Sequence, residues 1–433
     1  MSIINFPVLL VHNRSQLSCV VDRPARHESI SGRSTMKTSI LKTLIAISLC
    51  LALSPASAQQ SNEVKIGVLL GFTGPIESLA APMKTVINIA AEEVSDSGLF
   101  LNGARVVPIF ADTTCADAGL AVASAERAVA EGISGIIGGA CSGATAAMLT
   151  NVATPRGMVM ISPGASSPSL NDLDERDLFF RTVASDLREG QVMAEILRDR
   201  GVQSIAITYT NNDFGKGLSE AVRSSFTDMG GDVTIVASHE DGKADYTSDV
   251  ATLAAAGGDV LVVVGYIDQG GLGVVRAALD LGAFEVFGLA STMIGDRLLE
   301  GVGPRIEGSF GQVAGTESQG LSLLADWMGD RIDGRLPYVA EVYDAMAIMV
   351  LAMQAAGTND STEYVSKIWE VANAPGEKIY PGQLAKGLEL LAAGHEIDYV
   401  GGSAVELIGG GESAGAYREV EIRDGEFATV RFR

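Results

Sequence analysis

Ser142 and Thr145 stand in Gly138-Gly139-Ala140-Cys141-Ser142-Gly143-Ala144-Thr145, which follows the apolar run 133–137 and opens a helical pattern ending before Thr154-Pro155. A strand-to-helix turn of this kind points free backbone N–H groups outward at the positive end of a helix. With two hydroxyls, and glycines that let the main chain approach closely, it makes a seat for a carboxylate or another small anion. Read blandly, it is a Gly/Ser turn with an ordinary N-cap. In neither reading does it offer a nucleophile with a base beside it, so the stretch is built to hold a group, not to react with one.

Similar polar or aromatic groups recur directly after apolar runs: Ser162 to Ser167, Asn211 to Gly215, Tyr266-Ile267-Asp268 and Ala290-Ser291-Thr292. Each alone reads as a turn. Their recurrence at the same end of successive strands is informative, because parallel α/β sheets bind ligands at the carboxyl ends of their strands. Other chemistries find little support. The loop Gly71–Pro75 does not fit G-x-G-x-x-G, no G-x-x-x-x-G-K-[ST] occurs, and Gly-x-Ser-x-Gly is missing as a nucleophile elbow. His239 and His395 read as surface polar groups, Asp172, Asp174 and Glu175 as a solvated loop, and no metal-ligand spacing stands out. No enzyme, cofactor or metal is expected.

The elements that would position these groups alternate strand and helix. Strands are expected over 64–70, 105–110, 133–137 and 158–162, with helices over the stretch bearing Met83, Val86, Ile87, Ala90 and Val94 and over 117–132. The same grammar restarts after Phe179-Phe180-Arg181-Thr182-Val183: helix 186–200, strand 204–210, helix 213–229, strand 232–238, helix 246–256, strand 260–265, helix 269–281 and strand 285–289. Near-continuous apolar strands suit a parallel sheet covered on both faces. Beyond about 313 the chain turns helical, over 321–332, 339–356, 362–372 and 383–393, and closes with short strands near 403–407, 417–422 and 427–432. Two successive units of similar layout predict two doubly wound lobes, with a helical return to the first.

The address and charge fit an exported protein. Met36-Lys37 leads into an apolar run, 43–53, and then Ala56-Ser57-Ala58, so 1–58 reads as a leader with its signal peptide starting at 36. No later stretch nears 20 apolar residues. With 31 Lys and Arg against 53 Asp and Glu, net charge −22, no concentrated basic patch is visible and nucleic acid is not an expected partner. Two cysteines follow the leader, Cys115 and Cys141. In an exported protein the pair favours a disulfide, whose loop would contribute roughly 3–4 kcal/mol in the chain-entropy model, over two buried thiols.

Taken together, Val64–Pro75, Asp112 to Cys115, Gly138–Thr145, Ile161–Ser166, Asp213-Phe214-Gly215 and Val263–Gly271 resemble the periplasmic leucine/isoleucine/valine-binding proteins of ABC importers. The resemblance covers nearly the whole chain after the leader. It implies two Rossmann-like α/β lobes joined by a three-stranded hinge, 63–183 plus 313–414 and 184–312 plus 415–433, closing on a small carboxylate or amino-acid-like ligand. It implies a monomer in the periplasm serving an ABC permease, with a disulfide Cys115–Cys141. It places the carboxylate on Ser142, the Gly164 main chain and Ser166, and aromatic contacts on Phe214, Tyr266 and Tyr338, with Leu79 where the family has a tyrosine. The family's acid for the ligand ammonium falls on Ser291. Asp268 or Asp213 would have to supply that charge, or the ligand carries no ammonium. A sensor of the same fold for an amide or aromatic acid, and an exported α/β hydrolase, are the alternatives.

Overall fold

The computed structural model describes residues 62–173 and 177–433. The expected leader and the positions Asp174 and Glu175 lie outside the described residues. Strands β1 (Glu63–Leu70), β2 (Arg105–Asp112), β3 (Ile136–Gly138), β4 (Met160–Ser162) and β5 (Phe179–Arg181) pair in parallel. A second set, β6 (Ser204–Thr210), β7 (Asp232–His239), β8 (Val260–Val264), β9 (Phe287–Leu289) and β10 (Phe310–Ala314), does the same. β11 (Glu377–Ile379) and β12 (Ile397–Tyr399) form a small parallel pair of their own. β13 (Leu407–Ile408) and β14 (Glu412–Ser413) extend the first sheet, and β15 (Tyr417–Arg423) and β16 (Glu426–Phe432) the second. The orders are β13-β14-β5-β4-β3-β1-β2 and β16-β15-β10-β9-β8-β6-β7. This is the two-lobed α/β architecture that the alternation predicts.

Three crossings join the sheets: 182–185, 315–318 and 414–416. They lie side by side. The Gly315 N–H donates to the Ala416 carbonyl at 3.0 Å, and a Cβ on Gly415 would run into Ala184. Small residues here let three backbones pass in contact, where bulk would push them apart.

Several element boundaries move. The run 133–137 contributes only its end to β3, and 403–407 overlaps the two-residue β13 only at Leu407. β5, β10 to β12 and β14 are additional. The helix from Ser142 does not end before Thr154-Pro155: it widens into a π turn over Leu149–Ala153 and continues to Arg156. Pro155 has no N–H to give, and it lies in the first turn of the segment after the π turn, where that loss is tolerated.

Helix Val339–Ala356 is, among the described residues, long and apolar enough to cross a membrane. Here 83% of it is buried inside the fold, against helices Glu77–Ser97 and Ser361–Ala372. It carries two buried acids. Asp344 accepts from Tyr399 Oη, Gly402 N, Ser403 N and Ser403 Oγ. Glu341 is pushed up to about 7 by burial, with the neighbouring Asp344 charge acting in the same direction. A carboxyl raised in the fold above its unfolded value of 4.5 binds its proton more tightly folded. That stabilisation is complete below the unfolded value and is lost as pH rises through about 7. Glu341→Gln is therefore expected to melt higher than the native chain at pH ~8, by about 3 kcal/mol, and equally near pH ~4.5. Thermal unfolding at the two pH values checks it.

Candidate functional site

The organising turn is shaped by contacts on both sides. Gly138 has φ 146°, and a Cβ there would run into the Leu69 carbonyl, so only glycine fits. The disulfide Cys115–Cys141, with Cα atoms 5.5 Å apart, ties the loop after β2 to the N-cap of helix Ser142–Met148. Thr145 Oγ1 donates to the Cys141 carbonyl at 2.9 Å, so this hydroxyl serves the turn itself. Ser162 Oγ donates to the Gly139 carbonyl at 2.5 Å and accepts from Ala165 N at 2.8 Å, locking the β3 and β4 loops together. Ser142 Oγ accepts from Ser167 N at 3.2 Å. The N–H groups of Ser142, Gly143 and Ala144 have no partner among the described residues.

The facing wall comes from the second sheet. Phe214 and Tyr266 stack, with centroids 5.4 Å apart and planes 25° from parallel. Asn212 caps its helix by accepting from Gly215 N, and its Nδ2 donates to Tyr266 Oη at 3.2 Å. Burial pushes the Tyr266 phenol well above its ordinary value. Tyr338 enters from the helical return in a left-handed conformation, φ 64°, unusual for a bulky residue and held by its surroundings. Its hydroxyl donates to Ser291 Oγ at 3.0 Å.

Between these walls lies a small cavity of about 20 Å³. It is lined by Leu79, Ser142, Gly164, Phe214, Tyr266 and Tyr338, all anticipated, together with Ile76, Met83, Ala140, Cys141 and Thr292. No Asp, Glu, Lys or Arg is in this lining. Ile76, Leu79 and Met83 share a helical spacing that reads equally as core, and Met83 is expected from the sequence only as a core-facing helix residue. Thr292 belongs to a loop already singled out. Its Oγ1 donates to the Gly265 carbonyl at 2.5 Å.

Ser166, Asp268 and Ser291 are not in the lining. Ser166 is buried and its carbonyl accepts from Asp186 N at 2.9 Å. Ser291 is engaged by Glu189: its N–H donates to Oε1 at 2.9 Å and its hydroxyl to Oε2 at 3.0 Å, and Gln312 Nε2 adds a third donor. Asp268 accepts from Ser78, described below, and Asp213 is exposed, its carboxylate close to Gly143. One further acid, Asp186, is fully buried with both carboxylate oxygens unpartnered. Burial and the adjacent Glu189 push it well above the usual carboxylate range.

His239 is a correction. It is 1% exposed, its Nδ1 lies 2.8 Å from Thr208 Oγ1, and burial lowers its basicity. As the last residue of β7 it turns inward, where the acidic neighbours in its sequence suggested the surface. His395 is exposed.

Two lobes built on mainly parallel sheets, three adjacent crossings and an uncharged cavity walled by both lobes define a bilobal binding protein. A family model described as periplasmic binding protein matches residues 63–373, and the chain belongs to that family. It is 30% identical over 238 residues to the Leu/Ile/Val-binding protein homolog 3 of Brucella melitensis, a match that takes in 54% of this chain and 62% of that relative. The leucine binding protein LivK of Thermotoga maritima superposes with TM-score 0.72 at 21% identity, covering 85% of this chain and 98% of that one. A solute binding protein from R. palustris, solved with 4-hydroxybenzoate, superposes with TM-score 0.69 at 15% identity, covering 86% and 97%. These relatives are binding proteins, not enzymes.

Proposed function

We propose that this chain is the periplasmic solute-binding protein of an ABC importer, a monomer that captures a small carboxylate without an α-amine and presents it to a permease. The lobes are taken as 63–183 plus 313–414 and 184–312 plus 415–433. The observation that carries the reading is the cavity: a helix N-terminal turn on one side, stacked aromatics on the other, and no charged side chain in the lining. The ligand carboxylate would sit on Ser142 and its free N–H groups beside Gly164, with Ser166 supporting that loop from behind, while Phe214, Tyr266, Tyr338 and Leu79 cover the apolar body. Closure of the two lobes then buries the ligand from water.

A branched-chain amino acid is the second reading, favoured by the names of the relatives. It needs an acid for the ammonium, and Asp186, buried with both carboxylate oxygens unpartnered, is the one left to provide it. Calorimetric titration of refolded protein with 4-hydroxybenzoate, isocaproate and leucine tests both readings. Ser142→Ala is expected to weaken whichever ligand binds by about tenfold, the loss of one hydrogen bond to a charged group. Unchanged affinity would remove the carboxylate from this turn.

A further inference from the structure

Helix Glu77–Ser97 has no capping side chain of its own, since its N-cap residue is Ile76. Of its first N–H groups, that of Glu77 reaches the Gly74 carbonyl, and those of Leu79 and Ala80 reach the Ile76 carbonyl. The N–H of Ser78 donates instead to Asp268 Oδ2 at 2.8 Å, and Ser78 Oγ donates to the same oxygen at 2.7 Å. Asp268 lies 190 positions further along the chain, in the loop after β8. A helix of one lobe is thus capped by a carboxylate of the other. Asp268 N also points at the Pro75 carbonyl, at 3.4 Å, and Arg297 Nε stands 3.6 Å from Asp268 Oδ1, steadying the carboxylate from its own lobe. Elsewhere around the cavity Ser167 Oγ donates to the Asp213 carbonyl at 3.3 Å, a clasp without charge.

We propose that Asp268 is the latch of the closed form: a positioning residue that sets the balance between open and closed lobes without touching the ligand. This rests on the reading that the lobes close on a solute. Closed, the carboxylate meets the positive end of a helix that has no other side-chain cap. Open, both groups return to water and the charge-assisted bonds are lost. An anion at a partly buried helix N-terminus shifts such an equilibrium by about five- to thirtyfold. The role differs in kind from pairing with a ligand ammonium, which would make Asp268 matter for amino acids alone.

Small-angle X-ray scattering of the ligand-free protein, native and with Asp268→Ala or Asp268→Asn, tests the latch. Both variants are expected to keep the native melting curve and to show a larger radius of gyration, with Asn between native and Ala. Superimposable scattering curves would overturn the proposal. Titration with leucine and with 4-hydroxybenzoate adds a second arm. A loss of about five- to thirtyfold for whichever probe binds, of the same size if both bind, supports the latch. Loss confined to leucine would overturn it in favour of an ammonium partner. If neither probe binds, the ligand reading fails, and the scattering comparison still decides the latch.

Discussion

Leucine is expected to bind at least a hundredfold more weakly than isocaproate, which has the same carbon skeleton without the amine. The reason is the electrostatics of the cavity lining. An ammonium buried there would meet the hydroxyls of Thr292, Tyr266 and Tyr338 but no carboxylate. The nearby acids are engaged or outside the lining: Asp268 is held by Ser78 and Arg297 and Glu189 by Ser291 and Gln312, while Asp186 does not line the cavity and burial disfavours its charged form. Leaving one member of a charged pair buried alone costs about 3–5 kcal/mol, which is about two to three and a half orders of magnitude in affinity. Calorimetry at neutral pH reads the difference directly. Leucine binding as tightly as isocaproate would mean that Asp186 pairs with the ammonium, and proton uptake or release measured in two buffers would reveal any change in its ionisation.

How far this site could be read in advance depends on whether a feature is local. The strands after which loops form the cavity are continuous apolar runs, and 204–210 and 339–356 fall where the spacing places them. Asp117, Ser185 and Asn212 cap their helices from the chain itself. So the lining residues that follow strands, Ser142, Gly164, Phe214 and Tyr266, were legible as a set. The partners were not. Ser78 with Asp268, Glu189 with Ser291 and Arg181 with Glu412 are joined across 190, 102 and 231 positions. Nothing in periodicity or turn chemistry encodes such pairs, because they depend on how two sheets and three crossings are stacked. This is why Asp268 reads from the sequence as a ligand counter-charge and is found holding the other lobe. His239 misled for a related reason, since its acidic neighbours say nothing about which way a strand end turns.

Arg181 shows the same dependence at greater energetic cost. It ends β5 in an otherwise apolar strand and is completely buried. Its guanidinium donates to the carbonyls of Ala165 and Ser167 at 3.4 and 3.1 Å, to Asn171 Oδ1 at 2.9 Å, and to the carboxylate of Glu412 in β14. One side chain therefore holds the loop that presents Gly164 and Ser166 and fastens the returning segment to the edge of the first sheet. Arg181→Met keeps much of the apolar stem but leaves Glu412 without its cation, with only Asn171 Nδ2 still donating to it, and the Ala165 carbonyl without its donor. It is expected to cost about 3–5 kcal/mol of stability, read by urea unfolding. Removing the partner as well should return part of that loss, because Gln at 412 carries no unpaired charge. The double variant Arg181→Met with Glu412→Gln is thus expected to be more stable than Arg181→Met alone. Equal stabilities would mean that Glu412, 16% exposed, already satisfies itself with water and that the guanidinium acts through the loop carbonyls. In that case the ligand affinity of the single variant should fall with its stability, since the same carbonyls shape the carboxylate seat.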